Sequence, residues 1–369
     1  MPEKLSGNFL QVVPRELGKH KLTEDVEKPL FRAILIRKKT LYQTVRNSSY
    51  MKLTIIIPAY NEAATIGGVI DDIPKKIPGI SEIYPVVIDD GSTDGTAGTA
   101  AEHGAHVIRH TRNTGLGTAF RTGVSHALET GTDILVNIDA DGQFYPQDIP
   151  TLVEPIVQGD AECTTASRFI DKNLYPDMHP IKFYGNRAMS FLVSFLTGQK
   201  FYDVSCGMRA YNRHALLNFN LAGNYTYTQE AILNLAYKGI IIKEVPIKVI
   251  GKRQTGSSKV ASNLFNYAIR TSTIIFRAFR DYKPLYFFGL IAGVFFVIAC
   301  CFFGFLLFHY LEAETLFPHK WAGLAGLIAA LISFACLMIG LLADMLDRVR
   351  MNQEKIIYLL QREKHKSSS

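Results

Sequence analysis

Two carboxylates, Asp139 and Asp141, stand either side of Ala140 directly after an apolar run. At that spacing on a turn they repel each other unless a cation lies between them, and a hard divalent ion takes carboxylate and phosphate oxygens together. Such a pair suits chemistry in which a diphosphate departs, because the metal neutralises the charge building on the leaving group. An isolated Asp-x-Asp is also a common surface turn, and the further aspartate, glycine and distal glutamate of a calcium loop are missing here. The surrounding sequence weighs against a plain turn. Asp89-Asp90-Gly91-Ser92 closes a second apolar run, where a carboxylate can accept hydrogen bonds from a base or a ribose hydroxyl and where Ser92 or Asp94 can also cap a helix. Pro58-Ala59-Tyr60-Asn61-Glu62 closes a third, with Tyr60 able to lie against a nucleobase and Glu62 able to reach ribose or base. Arg253 and Lys259, six residues apart in Lys252-Arg253-Gln254-Thr255-Gly256-Ser257-Ser258-Lys259, give two cations that can stabilise anionic groups brought together.

The elements that must position these residues alternate. Strands are expected at 52–58, 84–88, 106–109 and 134–138, with helices over 62–75, from about Asp94, and over 115–129. Strands this apolar, separated by helices, predict a parallel sheet covered on both faces. Ligands in such sheets bind beyond the carboxyl ends of the strands, and all three residue clusters follow strand ends. Residues 161–167 and 243–249 read as further strands. Residues 181–197 and 259–281 mix apolar residues with a few cations, which suits either a membrane interface or packing on the rest of the fold.

From Lys52 to Lys259 these motifs, in this order, resemble the family 2 glycosyltransferases of GT-A fold. Asn113-Thr114-Gly115-Leu116-Gly117 is similar to the family's N-x-G-x-G helix entry, although many members carry lysine where Leu116 stands. Ser167-Arg168-Phe169 and Asp203-Val204-Ser205-Cys206-Gly207-Met208-Arg209 match two further stretches, and the loop from Arg253 to Lys259 resembles that of dolichyl-phosphate mannose synthases and related polyprenyl-phosphate glycosyltransferases. The resemblance implies an α/β, Rossmann-like, mostly parallel sheet. It implies Mg2+ (or Mn2+) held by Asp139, Asp141 and Gln143, and donor or phosphate binding by Pro58, Tyr60, Glu62, Asp90, Asp139, Ala140, Arg168 and Arg187. Asp141, Arg253, Lys259 and Asp203 would serve catalysis. The partners implied are a nucleotide sugar of the GDP-mannose or UDP-glucose type and a dolichyl or undecaprenyl phosphate, reacting with inversion. A lipid phosphate is already anionic near neutral pH, so such a site needs positioning and charge neutralisation more than a base. With a non-lipid acceptor, Asp203 would become a candidate base. A non-catalytic nucleotide-sugar scaffold is a third reading. A processive polysaccharide synthase is not, because its Q-x-x-R-W motif is missing and the single tryptophan, Trp321, lies in an apolar run.

The 369 residues are 48% hydrophobic and 20% charged, with net charge +7. Residues 285–308 and 321–343 contain no charged residue, and each run exceeds the roughly 20 residues needed to cross a bilayer core. A buried soluble helix is the alternative. Arg277, Arg280 and Lys283 precede the first run, and Arg348, Arg350, Lys355, Arg362, Lys364 and Lys366 follow the second. The positive-inside rule then predicts an integral membrane hairpin with the catalytic domain and both termini cytoplasmic. The expected organisation is a basic extension (1–50), the sheet domain (51–258), an amphipathic interfacial helix (259–283), the hairpin (284–346) and a basic tail (347–369). No secretory signal is expected in the polar first 50 residues. The five cysteines lack zinc spacing and read as small buried hydrophobes. The positive charge is assigned to a membrane surface and not to nucleic acid, since no basic, aromatic-studded motif occurs. Self-association is left open.

Overall fold

The almost unbroken apolar segments form the interior strands. In the computed structural model, which describes residues 51–176, 178, 180–219, 227–250, 273, 276, 277 and 279–366, these are β1 (Met51–Ala59), β2 (Ile80–Asp89), β3 (His106–Arg109) and β4 (Ile134–Asn137). Three later strands, β5 (Cys163–Ser167), β6 (Arg209–Asn212) and β7 (Ile242–Pro246), complete a seven-stranded sheet of order β3-β2-β1-β4-β6-β5-β7. All pairings are parallel except those of β6 with β4 and with β5. The extension over 1–50 and most of the proposed interfacial helix, together with Arg253 and Lys259, lie outside the described residues.

Side-chain alternation sends β1 to both faces. Leu53, Ile55 and Ile57 join a core with α1 (Ile66–Asp71) and α4 (Ile149–Val157). Ile56 joins the opposite core with α3 (Leu116–Glu129) and α6 (Arg213–Leu217). Helix α2 (Thr96–Glu102) packs beside α1 through Ala100. Pro58 is tolerated in a central strand because the ladder with β4 ends at the Ile56–Asn137 pair, so its missing N–H breaks no bond on that side. A third core joins Met189, Val193 and Leu196 of α5 (Pro180–Thr197) to Ile232 and Leu233 of α7 (Tyr227–Tyr237).

The last two helices, α8 (Pro284–Ala313) and α9 (Lys320–Lys366), are long and apolar enough to cross a membrane. Only 11% and 22% of their apolar windows are buried, whereas a soluble core helix would be mostly enclosed. Together they have the surface of a membrane hairpin. Ser333 Oγ donates to the Ala292 carbonyl at 2.8 Å, and Gly323, Gly326 and Gly340 lie against Leu306, Phe303 and Phe288. Small residues and an interhelical hydrogen bond are the means by which helices associate in lipid. Cys300 and Cys301 are exposed on α8, unlike the buried Cys163 and Cys206, because this helix turns its apolar surface outward. Residues 347–366, expected as a separate basic tail, continue α9 without a break.

Phe120 is wholly buried on α3 with edge contacts to Tyr211 and Phe219. Phe120→Ala should therefore cost about 3–5 kcal/mol, measured by urea unfolding of the detergent-solubilised protein.

Candidate functional site

Four loops meet beyond the carboxyl ends of the strands, and hydrogen bonds join them. Asn61 leaves β1 in the left-handed region (φ 56°). Its N–H donates to Ser92 Oγ and its Oδ1 accepts from Thr93 N, both at 2.9 Å. Glu62 N donates to Thr96 Oγ1 at 2.9 Å, and Ala63 N to Asp94 Oδ2 at 3.2 Å. The helix expected from Glu62 therefore starts only at Ile66, because residues 61–63 bind the β2 loop. Thr65 Oγ1 donates to the Ala140 carbonyl at 2.7 Å, tying the β1 loop to Asp139-Ala140-Asp141. Gly91 (φ +75°) lies so close to the Arg112 backbone that a Cβ would stand 2.6 Å from its carbonyl carbon, which brings the loop before α3 into the same cleft. Pro58, Tyr60, Glu62, Asp90, Asp139, Ala140 and Asp141 thus share one edge of the sheet. A surface hollow of about 690 Å³ lined by Lys76, Ile77, Pro78, Ile80 and Ser81 lies at the amino end of β2, away from all of them.

Asp141 is 5% exposed and its Oδ1 accepts from Gln143 N at 3.1 Å. Asp139 rests on the bare backbone of Gly207, where a Cβ would come within 2.7 Å of its Oδ2. Asn137 Nδ2 donates to the Gly207 carbonyl at 3.0 Å and fixes that approach. Among the described residues no three acidic, His or Cys side chains cluster as a self-sufficient metal site. Two carboxylates and an amide fit Mg2+ or Mn2+, which is usually held by one or two carboxylates with substrate phosphates and water filling the rest. Gln143 has a second task. Its Nε2 donates to the Ile250 carbonyl at 3.1 Å while Ile250 N donates to the Gln143 carbonyl at 2.9 Å. This pairing starts the chain towards Arg253 directly beside the Asp141 turn.

Asp90 is nearly buried. Its Oδ1 accepts from Thr114 N (2.9 Å), Thr114 Oγ1 (2.7 Å) and His110 Nδ1 (2.8 Å), and its Oδ2 from Gly115 N (2.8 Å). Burial opposes its charge, but these bonds outweigh burial and hold the carboxyl below the usual range. Asp90 therefore anchors the entry to α3, a role for which His110 and Thr114 gave no sequence signal beyond the N-x-G-x-G match.

Asp203, which the resemblance implicates in catalysis and which would be a candidate base only with a non-lipid acceptor, is fully buried and engaged with Arg168. Its carboxylate accepts Arg168 Nε at 2.6 Å and Nη2 at 2.9 Å, with Ser205 Oγ at 2.8 Å. Burial again works against the charge, and the Arg168 bonds and charge overcome it, so Asp203 stays below the ordinary carboxylate pKa. A carboxylate held so firmly ionised is a poor base. Its bonds hold the Arg168 guanidinium at the end of β5. Glu244, missed in the sequence, accepts the Tyr202 and Asp203 N–H groups at 2.8 and 2.7 Å and holds the segment from β7. Burial pushes the thiols of Cys163 and Cys206 up to about 12, which leaves them inert.

Arg187 is exposed on the outer face of α5. There it shares a stripe with Tyr184, Phe191 and Phe195, which are 70%, 75% and 58% exposed, while the opposite face packs on α7. Lys283, at the entry to α8, sits over the rings of Phe195 and Tyr286 at 5.7 and 5.8 Å. The aromatic stripe is therefore continuous with the start of the membrane hairpin, as an interfacial helix requires.

The family model described as glycosyl transferase family 2 matches residues 54–218. The UDP-N-acetylglucosamine–dolichyl-phosphate N-acetylglucosaminyltransferase of Methanococcus voltae is 33% identical over 216 residues, 53% of this chain and 84% of its own length. The polyprenol monophosphomannose synthase of Mycolicibacterium smegmatis is 27% identical over 219 residues, 57% of this chain and 81% of its own. Glycosyltransferase AglJ of Haloferax volcanii is 30% identical over 312 residues, 82% and 96% of the two chains.

Two outcomes follow from the geometry. Gly207→Ala should displace Asp139 and weaken nucleoside diphosphate binding at least tenfold by calorimetry, while the circular dichroism spectrum is kept. Asp203→Asn should lower the unfolding midpoint at pH 7. A lowered folded pKa contributes stability that is complete above the unfolded carboxyl value of about 3.9 and is lost as pH falls through the folded value. The gap between the two proteins should therefore narrow steadily below about pH 4.

Proposed function

The chain belongs to glycosyl transferase family 2, and on that premise we propose that it transfers a hexose from a nucleoside diphosphate sugar to a polyprenyl phosphate at the cytoplasmic face of a membrane. The observation that carries this reading is the placement of the Asp139-Ala140-Asp141 turn at one sheet edge with the β1 and β2 loops, in a chain that also carries an exposed aromatic stripe on α5 and two long apolar helices. The names of the relatives support a polyprenyl phosphate acceptor, and the exposed faces of α8 and α9 support a lipid-borne one.

Asp139 and Asp141 would hold the divalent ion, with Gln143 shaping the turn and contributing its amide. When bound, that ion neutralises charge on the departing diphosphate. Pro58 and Tyr60 would form the wall beside the base, Glu62 would reach the ribose, and Asp90, while holding the entry to α3, would present its Oδ2 to the nucleoside. Arg168, oriented by Asp203, would meet phosphate, and Arg187 on the membrane-facing helix would attract the lipid phosphate. Arg253 and Lys259 would close over both anions. An oxygen of the lipid phosphate forms the new bond to the anomeric carbon from the side opposite the leaving group. The bond from that carbon to the diphosphate oxygen breaks, and its electron pair leaves with the nucleoside diphosphate. Configuration inverts and no proton need be removed from the nucleophile, which agrees with an arrangement in which Asp203 is unsuited to act as a base. The donor is a hexose nucleotide of the GDP-mannose or UDP-glucose type, and the lipid is dolichyl or undecaprenyl phosphate.

Purified protein incubated with a panel of radiolabelled sugar nucleotides, polyprenyl phosphate and Mg2+ should yield labelled lipid with one donor, and chelation by EDTA should stop it. Asp141→Ala should reduce transfer by at least a thousandfold without unfolding. Labelled lipid at the wild-type rate from that variant would remove the metal assignment, and label only on a water-soluble product would point to a non-lipid acceptor.

A further inference from the structure

Helix α9 runs about 70 Å at 1.5 Å per residue, more than twice the roughly 30 Å hydrocarbon core. Beyond the charge-free run its two sides differ. One carries Asp347, Arg350, Glu354 and Tyr358, and it is docked on the sheet domain. Glu354 pairs with Lys238 at 3.1 Å with both side chains nearly buried, Arg350 stacks over Tyr282 at 5.0 Å, and Tyr358 meets His214 edge-on at 5.8 Å. The other side carries Leu342, Leu346, Val349, Gln353, Ile356 and Leu360, spaced by four, three, four, three and four residues. Gln353 is exposed, and the five apolar members of this stripe are between 52% (Val349) and 68% (Leu346) exposed.

Lipid cannot cover this stripe along its length. Leu360 lies about 26 Å of helix beyond Ala343, whereas the headgroup layer adds only roughly 5–8 Å on each side of the hydrocarbon core. Docking of the opposite side on His214 of α6 and on Lys238 keeps this stretch beside the sheet domain. The 3.5-residue period is that of a helix matched by another helix alongside it. Copies of this chain inserted in one membrane present their α9 helices in parallel, so identical seam residues meet across a symmetry axis along the membrane normal. Gln353 is the only polar seam residue, and its amide both donates and accepts, so an identical Gln353 satisfies it. The cations Arg348, Lys355 and Arg362 stand off the seam.

We propose that this chain self-associates through a parallel coiled-coil seam formed by Leu342, Leu346, Val349, Gln353, Ile356 and Leu360 of α9. Leucine at the positions of Leu346 and Leu360, with β-branched Val349 and Ile356 at the alternate ones, favours three or four helices over two. The assembly leaves each sheet domain on the outside of the bundle, because its docking side faces away from the seam.

The test uses the full chain in native membranes with Cys300, Cys301 and Cys336 replaced by alanine. Val349→Cys and Ile356→Cys should each give a disulfide-linked dimer on mild oxidation, and Lys355→Cys should not. Light scattering in detergent should give a mass of two or more chains, and Ile356→Glu with Leu360→Glu should reduce it to one while the helical circular dichroism signal is retained. A monomeric mass for the unsubstituted chain, or equal linking at positions 349 and 355, would overturn the proposal. So would the appearance of the assembly only after residues 1–49 are deleted, since that segment would then be the natural occupant of the stripe.

Discussion

Asp139 and Asp141 put two negative charges within one turn of chain, and Asp141 is almost closed to water. Two like charges this close in the sequence repel each other, and a cation between them removes the repulsion. The fold holds the pair in place: Gly207 lies under Asp139, Asn137 fixes Gly207, and Thr65 holds the Ala140 carbonyl. Two carboxylates do not complete an octahedral shell, so the remaining ligands must come from the diphosphate and water. On the proposed function metal and donor affinity would be coupled, since the β1 and β2 loops are bonded into the same edge as the turn.

The cationic side of the cleft is organised by buried carboxylates rather than by exposed ones. Arg168 is held in a fork by Asp203, and the Asp203 backbone is held by Glu244. Burial raises the pKa of Glu244, and the nearby Asp203 adds to the shift, whereas Asp203 itself stays low because Arg168 is beside it. The guanidinium thus has one preferred geometry before any phosphate arrives, which is the condition for a cation to stabilise charge without reorganising.

Local signals in the sequence carried the first half of the sheet. The β3 strand over His106–Arg109 was expected at those bounds, and the carboxyl-end location of Asp90, Asp139 and Asp141 followed from their places directly after apolar strands. The start of α1 was misjudged because residues 61–63 bind a loop some 30 residues away, a non-local demand that periodicity does not record. β6 was not expected at all. Its four residues have no clear alternation, and Arg209 is buried at its start through bonds to Val204 and Thr165 that only the folded chain supplies. The ion pair of Asp203 with Arg168 was hidden for the same reason, since the motif names the residue but not the partner that neutralises it. The division of α9 into a span and a tail followed the change from apolar to charged composition, which marks the membrane boundary but does not end a helix.

The uninterrupted backbone of α9 also bears on how the cleft meets its acceptor. With the proposed lipid phosphate as acceptor, the substrate would lie in the interface plane, and the height of the sheet domain would have to be set from below. Two contacts of different kind set it. The aromatic stripe of α5, joined to Lys283, can enter the interface by a few ångströms, while the Lys238–Glu354 pair and the Arg350–Tyr282 stack fix the domain to a rigid helix rooted in the bilayer. A flexible linker at 347 would allow the domain to tilt about the α5 contact and would move Asp141 relative to the phosphate plane. A continuous helix removes that freedom, so the distance between the Asp139-Ala140-Asp141 turn and the end of the apolar hairpin is a property of the fold.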